Sequence, residues 1–327
     1  MILLVQDGKG KRRMKKSKKA SEFRFENRPR RFGDRPDGYR VRDLDSMHVL
    51  TPYLMPARTD NEAFLAEVFD LTKVNEYIAK TNEGDPEFKY TFFHFFIAAL
   101  AKVMTFRPKM NYFISGKRTY ERKDLSFAFV VRRKFTLDAG EALAIIKLDR
   151  DSDESPISQV YNKVKKFVYH VRKEEKTDAT TDALDIVAAL PRFMIRAVVG
   201  VLNFLEYHGL YPKALKEADP EYASVFISNL GSIKMSANYH HLCNWGTNSF
   251  FVVINEKKLR PFYNEDGSYE MRDSLDISFT VDERLADGFY FANAIKMIKK
   301  IFENPQIVEL PLWQDIPEFE KERVDKK

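Results

Sequence analysis

Between Leu275 and Phe302 the hydrophobic period changes from 2 to 3.6 across one short stretch. Leu275, Ile277, Phe279 and Val281 alternate with polar neighbours, the pattern of a strand with one buried face. Phe291, Ile295, Ile298 and Phe302 then fall on one helical stripe, with Lys296, Lys299 and Lys300 elsewhere, and Asn304-Pro305 ends the helix. The residues between, Asp-Glu-Arg-Leu-Ala-Asp-Gly at 282–288, form a tight loop. A strand that passes so abruptly into an amphipathic helix points to a sheet with helices packed on it.

The rest of the chain agrees with that layering. "AFLAEVFDL" reads as a strand, and Thr72 caps a short helix through Ile78. Thr91 is an N-cap for Phe92–Met104, which is apolar on nearly all sides and so reads as a buried helix stopped by Pro108. "NYFISG", "LSFAFVVRR" and "ALAIIKL" are strand-like, with a polar turn "KRTYERKD" between the first two. Ser155-Pro156 opens a helix whose apolar face is Ile157, Val160, Val164, Phe167, Val168 and Val171. A second helical block runs from about Thr181 to Tyr207, interrupted at Pro191. "YASVFISN", "NSFFVVIN" and "LDISFTV" are strands, with a turn at Asn264–Gly267 before the last. Strands and helices mix without strict alternation, so the fold class is α+β, a mixed sheet covered by helices.

Charge divides the chain. Residues 1–42 hold 15 Lys/Arg against 5 Asp/Glu, about +10, so the rest of a chain of net charge +6 carries about −4. Residues 1–42 therefore read as a basic, disordered tail able to hold anionic partners electrostatically. Residues 43–312 form the folded domain and 313–327 a charged C-terminal tail. A single cysteine, Cys243, excludes an internal disulfide framework, and no zinc-type Cys/His spacing or phosphate-cradling glycine loop occurs. No stretch of about 18 uncharged apolar residues suggests a membrane span, and the N-terminus lacks the long apolar core of a signal peptide. The expected location is cytoplasmic.

The loop at 282–288 resembles the Asp-His-Arg-x-x-Asp-Gly signature of the dihydrolipoyl acyltransferases of 2-oxo acid dehydrogenase complexes, and the related His-x-x-x-Asp-Gly of chloramphenicol acetyltransferase. Four of its five specified positions match, namely Asp282, Arg284, Asp287 and Gly288, and Glu283 stands where the family has histidine. Three further stretches, in the family's order, support the resemblance: "YLMPARTDNEAF", "KYTFFHFFIAALAKVMTFRPKMNYFISG" and "VFISNLGSI". The similarity covers about residues 48–310. The helical block at 155–222 is longer than is usual in the family, and no lipoyl-type hairpin precedes the domain.

The resemblance implies a chloramphenicol acetyltransferase-like two-layer sandwich, assembled as a homotrimer, with its site between subunits. It implies coenzyme A or acyl-coenzyme A as substrate, a small thiol, hydroxyl or amine as acyl acceptor, no metal and no attached lipoyl group. By position, Ser228 is the oxyanion donor, Asn229 its neighbour on the strand, and Asp287 the structural carboxylate with Arg58 as partner. Gly288 allows the tight turn and Arg284 belongs to the same loop. The departure is at the base. An unperturbed imidazole titrates near ~6.5 and a glutamate near ~4.3, so glutamate suits a thiol only if burial raises it. Three outcomes stay open: a buried Glu283 base, a base from His240 or His241 in "SANYHHLCNWG", or an inactive oligomeric scaffold or binding module that kept the fold.

Overall fold

A computed structural model describes residues 28–132, 141–173 and 188–319. Six strands form one mixed sheet: β2 (Glu62–Asp70), β5 (Leu125–Arg132), β6 (Glu141–Leu148), β7 (Val225–Asn229), β8 (Phe250–Tyr263) and β9 (Tyr269–Asp282), in the order β2-β9-β8-β7-β5-β6. β7 runs parallel to both its neighbours, and the other pairings are antiparallel. A smaller sheet joins β1 (Gly38–Arg40), β4 (Arg118–Arg122) and β3 (Tyr112–Ser115). The helices are α1 (Ser46–Leu54), α2 (Thr72–Thr81), α3 (Phe92–Phe106), α4 (Pro156–Lys173), α5 (Arg192–Tyr207), α6 (Lys213–Ala218) and α7 (Gly288–Glu303).

The core lies between one face of the large sheet and α3, α4 and α7. Every residue of α3 from His94 to Phe106 is buried, which explains why its sequence shows no polar face. Ile277, Phe279 and Val281 of β9 meet Phe291, Ile295, Ile298 and Phe302 of α7 in the same cluster. The change of period read from the sequence thus builds one corner of the core. Burying an aromatic or aliphatic side chain of this size stabilises by roughly 1.5–3 kcal/mol over leaving it exposed. Lys102, fully buried on α3, donates to the carbonyls of Leu310, Pro311 and Gln314 and so clamps the segment after α7 onto the core.

The elements follow the sequence pattern with physical exceptions. Thr91 forms the expected cap, as a box in which His94 Nδ1 accepts from the Thr91 backbone N–H at 3.0 Å. Thr72 is not a cap: it begins α2, and Asp70 accepts from its N–H at 2.8 Å and its hydroxyl at 2.7 Å. The expected polar turn "KRTYERKD" contains β4, whose Thr119–Arg122 are buried because β1 and β3 flank it. The segment before Arg58, for which no element is expected, is helical as α1, with Pro52 inside it.

Two domain limits also move. Residues 28–42 are not a loose tail: β1 pairs with β4, and buried Arg35 binds Asp37 at 2.9 Å and Glu206 at 2.8 Å. Burial would raise the Asp37 carboxyl, but Arg35 and Lys216, the latter at 2.6 Å, hold it well below the usual range. Beyond residue 312, Ile316 is buried in the main core, so the C-terminal tail begins later than 313. The basic residues 1–27, the first part of the expected helical block, 181–187, and residues 320–327 lie outside the described residues. Among the described residues, no helix is long and apolar enough to cross a membrane.

His94 supplies a test of the core. Its ring is buried and packs edge-on to Phe88. Burial lowers its pKa from 6.5 to about 4. The unfolded chain therefore takes up a proton here before the folded one does, and stability falls as pH drops from 6.5 through about 4. Glutamine at this position keeps the capping box without titrating. His94→Gln is expected to flatten the fall of melting temperature across that window, and an unchanged slope would assign the acid sensitivity elsewhere.

Candidate active site

The 282–288 loop is held by a buried ion cluster. Asp282 is fully buried at the end of β9, and Arg284 grips it in a fork, Nε to Oδ1 at 2.8 Å and Nη2 to Oδ2 at 2.6 Å. The remaining Arg284 nitrogen donates to the carbonyls of Met55 and Pro56 at 2.9 and 3.1 Å. Arg58 approaches the same carboxylate at 3.9 Å and donates to the carbonyls of Cys243, Trp245 and Gly246. Burial pushes the Arg58 guanidinium below its usual value, with Asp282 acting in the opposite direction. One carboxylate and two guanidinium groups thereby join three segments distant in sequence. Asn61 completes the latch: its carbonyl accepts from the Glu283 N–H at 3.0 Å, and its amide donates to Ala57 O at 2.6 Å.

Glu283 itself points out of this frame and is exposed in the single protomer. Asp287 is also exposed and caps α7, accepting from the Tyr290 N–H at 2.9 Å. The expected Arg58–Asp287 pair is therefore corrected to Arg58–Asp282, because Asp287 is committed to the helix N-terminus while Asp282 is the carboxylate that burial forces to find cations. Gly288 has no left-handed backbone, and a Cβ there would meet nothing within 4 Å, so nothing in the protomer requires glycine at the turn.

Ser228 and Asn229 end β7 on the sheet. Val225 and Ile227 point into the main core, so Phe226 and Ser228 face the other side. Ser228 stands opposite Val253, and Val253 opposite Ser278. Two strand spacings sideways and five residues along β9 separate Ser228 from Glu283 by roughly 19 Å. The two groups do not meet within one chain.

Residues 230–249 fold over the Ser228 face, where Leu242, Phe251 and Val253 make a second small core. Within that cover His240 lies flat on Phe251, ring centres 4.0 Å apart and planes 5° apart, and stacks on His241 at 4.7 Å. The His240 ring nitrogen Nδ1 is 2.8 Å from His241 O, and His241 Nδ1 is 2.9 Å from Leu242 O. Phe251 is one strand across and two residues along from Ser228, about 8 Å between backbones. Of the expected bases, then, His240 lies over the sheet face that carries Ser228, while Glu283 stands at its far corner. Cys243 is half-buried in this cover, and its carbonyl is an Arg58 acceptor.

Sequence reading missed Glu221. It sits before β7, where its carbonyl accepts from Thr247 and Asn248, and a Cβ at Gly246, whose φ is +70°, would collide with its carbonyl and Cβ. Burial first, then Asp219, raises its pKa from 4.5 to about 7, against Arg58 and His241. No spacing in "EADPEY" announces this, since the shift comes from burial beneath the distant loop at 246–248. A cavity of about 460 Å³ adjoins the cluster, bounded by Pro56, Arg58, Lys117, Glu206, Asn244 and Arg284.

Two expectations follow. Asp282→Asn leaves two buried guanidinium groups without an anion and should cost about 3–5 kcal/mol in urea unfolding, whereas Glu283→Gln should stay within ~0.5 kcal/mol. Between pH 4.5 and about 7 the folded state keeps a proton on Glu221 that the unfolded chain releases. This contribution is complete below 4.5 and is lost as pH rises through about 7. Glu221→Gln should remove that decline from the melting temperature measured against pH.

Comparisons with known proteins come from sequence and from structure. The family model described as "2-oxoacid dehydrogenases acyltransferase (catalytic domain)" matches residues 211–310, the span that carries Ser228, the histidine loop and the Asp282–Gly288 turn. Comparison with curated proteins gives no match. Among solved structures, a probable dihydrolipoamide acetyltransferase from Listeria monocytogenes 4b F2365 superposes with a TM-score of 0.52 at 15% identity, over 82% of this chain and 95% of that one. The cubic core of the pyruvate dehydrogenase multienzyme complex gives 0.53 at 14% identity, over 83% and 94%. A chloramphenicol acetyltransferase gives 0.53 at 9% identity, over 81% and 99%. At such identities the structures establish the fold. The chain is thus similar to the superfamily of dihydrolipoyl acyltransferase catalytic domains and chloramphenicol acetyltransferase, in fold over most of its length and in family pattern over residues 211–310.

Proposed function

We propose that this protein is an acyltransferase that moves an acyl group between coenzyme A and a small thiol, hydroxyl or amine. We further propose that it works as a homotrimer in which Glu283 of one copy faces Ser228 of the next. The observation that carries this reading is the geometry of the turn. A buried, doubly paired carboxylate fixes the backbone on either side of Glu283 and presents that side chain outward, about 19 Å from the Ser228 of its own chain. A second copy can supply what one chain lacks. It would also remove Glu283 from water, the change that makes a carboxylate an effective base for a thiol or hydroxyl.

In this mechanism Glu283 accepts the proton of the attacking group as it adds to the acyl carbonyl. The Ser228 hydroxyl, which faces away from the core at the end of a paired strand, donates to the oxyanion of the tetrahedral intermediate. Return of the proton to the leaving coenzyme A sulfur completes the exchange. The buried cluster of Asp282, Arg284 and Arg58 positions the turn without touching the reacting atoms. The cavity beside Arg284 offers room for a small acceptor. A second reading has its own observation: His240, stacked above Phe251, is the imidazole on the Ser228 face, and it would serve as the base without any subunit crossing.

Acyl-coenzyme A turnover separates these readings. Glu283→Gln is expected to lower kcat by ~10²–10⁴ and Ser228→Ala by ~10²–10³. Mixing the two variants through a dissociation and reassembly step should restore partial activity, because some mixed sites keep both groups. Loss on His240→Ala with full activity in Glu283→Gln would transfer the base to His240. Absence of both acyl-coenzyme A binding and turnover in the intact protein would leave the fold as an inactive scaffold.

A further inference from the structure

Segments distant in sequence enclose the cavity beside Arg58: residues 52–58, the β3–β4 turn at 114–117, the end of α5, the loop at 244–246, and Arg284 of the conserved-looking corner after β9. The β3–β4 turn is fitted closely. Gly116 and Lys117 both have left-handed backbone, at φ +55° and +61°, the pair of positive angles that a two-residue hairpin turn requires. A Cβ on Gly116 would collide with the Tyr207 carbonyl oxygen, so glycine lets the turn press on the end of α5. Lys117 follows in a conformation that a side chain disfavours. Its ammonium donates to the Pro52 carbonyl at 2.9 Å, and both residues line the cavity.

The hydrogen bonds around this cavity do not close. Arg58 is only 5% exposed, its two terminal nitrogens donate to carbonyls of the 243–246 loop, and its Nε has no partner among the described residues. Asp282 lies 3.9 Å from that Nε, beyond hydrogen-bond reach, and is held by the Arg284 fork. Glu206, across the cavity lining, is half satisfied. Its Oε1 accepts from Arg35 at 2.8 Å and from Ser115 at 3.0 Å, whereas its buried Oε2 has no donor among the described residues, Lys216 standing 3.6 Å away. Buried polar atoms are normally paired, and each exception calls for a reason.

The charges do not close either. Arg58, Arg284 and Lys117 face the single carboxylate of Asp282, a surplus of two cations, while Arg35 and Lys216 are balanced by Asp37 and Glu206. Glu221 also acts on Arg58, but its carboxyl, raised to about 7, stays partly protonated at neutral pH and offsets only part of the surplus.

We propose that this cavity binds a small carboxylic acid that carries an amine or hydroxyl at its other end. The carboxylate takes one donor from Arg58 Nε and another from the Lys117 ammonium. The amine or hydroxyl donates to Glu206 Oε2. A carboxylate suits these groups and a phosphate does not, because the Arg58 fork is already engaged by backbone carbonyls, and a lone N–H with one ammonium match two oxygens rather than three. A volume of about 460 Å³ lies within the range of small-molecule sites. Placing this molecule as the acyl acceptor rests on the acyltransfer reading, since the cavity meets the turn through Arg284, the neighbour of Glu283; the binding itself does not.

The test is calorimetric titration of the full-length protein with ω-amino acids from glycine to 6-aminohexanoate. At least one chain length is expected to bind saturably, the matching unsubstituted acid more weakly and the matching alkylamine not at all. Lys117→Gly removes the ammonium and suits the left-handed backbone, so the melting temperature should hold while affinity falls about tenfold or more. Glu206→Gln replaces the unpartnered acceptor by an amide N–H and should reduce the amino acid to the affinity of the unsubstituted acid. No binding by any member, or binding that Lys117→Gly leaves unchanged, would overturn the proposal. Preference for inorganic phosphate over every carboxylate would overturn it in favour of a phosphate subsite. Acyl-coenzyme A turnover is followed on the same compounds: binding without acyl transfer upholds the site and counts against the acyltransfer reading alone.

Discussion

The carboxylate of Asp282 is the constraint on which the site depends. A fully buried charge is tolerated only when paired and hydrogen-bonded, and here two guanidinium groups from opposite ends of the chain converge on it. Arg284 comes from the turn itself and Arg58 from the segment after α1, and between them they reach the carbonyls of residues 55, 56, 243, 245 and 246. Such a cluster adds little net stability compared with an apolar core, because desolvation offsets the attraction. What it provides is location. The backbone at 282–284 cannot shift without stranding a buried charge, so Glu283 leaves the frame in one direction.

The second face of the sheet follows from the same economy of burial. Alternation along β7, β8 and β9 sends one set of side chains to the helices and the other to the cover formed by residues 230–249. Ser228 lies at the margin of that cover, half-buried, with His240 and His241 in the covering loop. Glu283 lies at the far corner, near the 460 Å³ cavity through its neighbour Arg284. Two centres of polarity on one protomer, joined by a stiff sheet, are held at a fixed separation, and chemistry that needs both must be completed from outside the chain.

Most of the layering was legible in the sequence because it rests on period. The β9–α7 corner, the all-apolar α3 and its Thr91 cap, and the strands β2, β5, β6, β7 and β8 all carry local signals strong enough to read. Where reading failed, tertiary context overrode local chemistry. The charged stretch at 118–122 is a strand because β1 and β3 pair with it on both sides, and residues 28–42 are ordered because Arg35 finds Glu206, 171 residues away. Of the site, the motif at 282–288 was visible as residue types, while the partner of Arg58 and the burial of Glu221 were not, since both depend on which segments lie over them.

The sequence by itself determined the class of fold, the position of the strand–turn–helix corner and the substitution of glutamate for histidine within it. Those properties are local: hydrophobic period, capping chemistry and the identity of residues a few places apart. Only the tertiary structure decided that Asp282, not Asp287, anchors the arginines, that Ser228 and Glu283 stand at separate ends of one sheet face, and that Arg58, Lys117 and Glu206 line one cavity. Each of these is a matter of burial and of distance through space, and neither quantity exists until segments far apart in the chain have packed together.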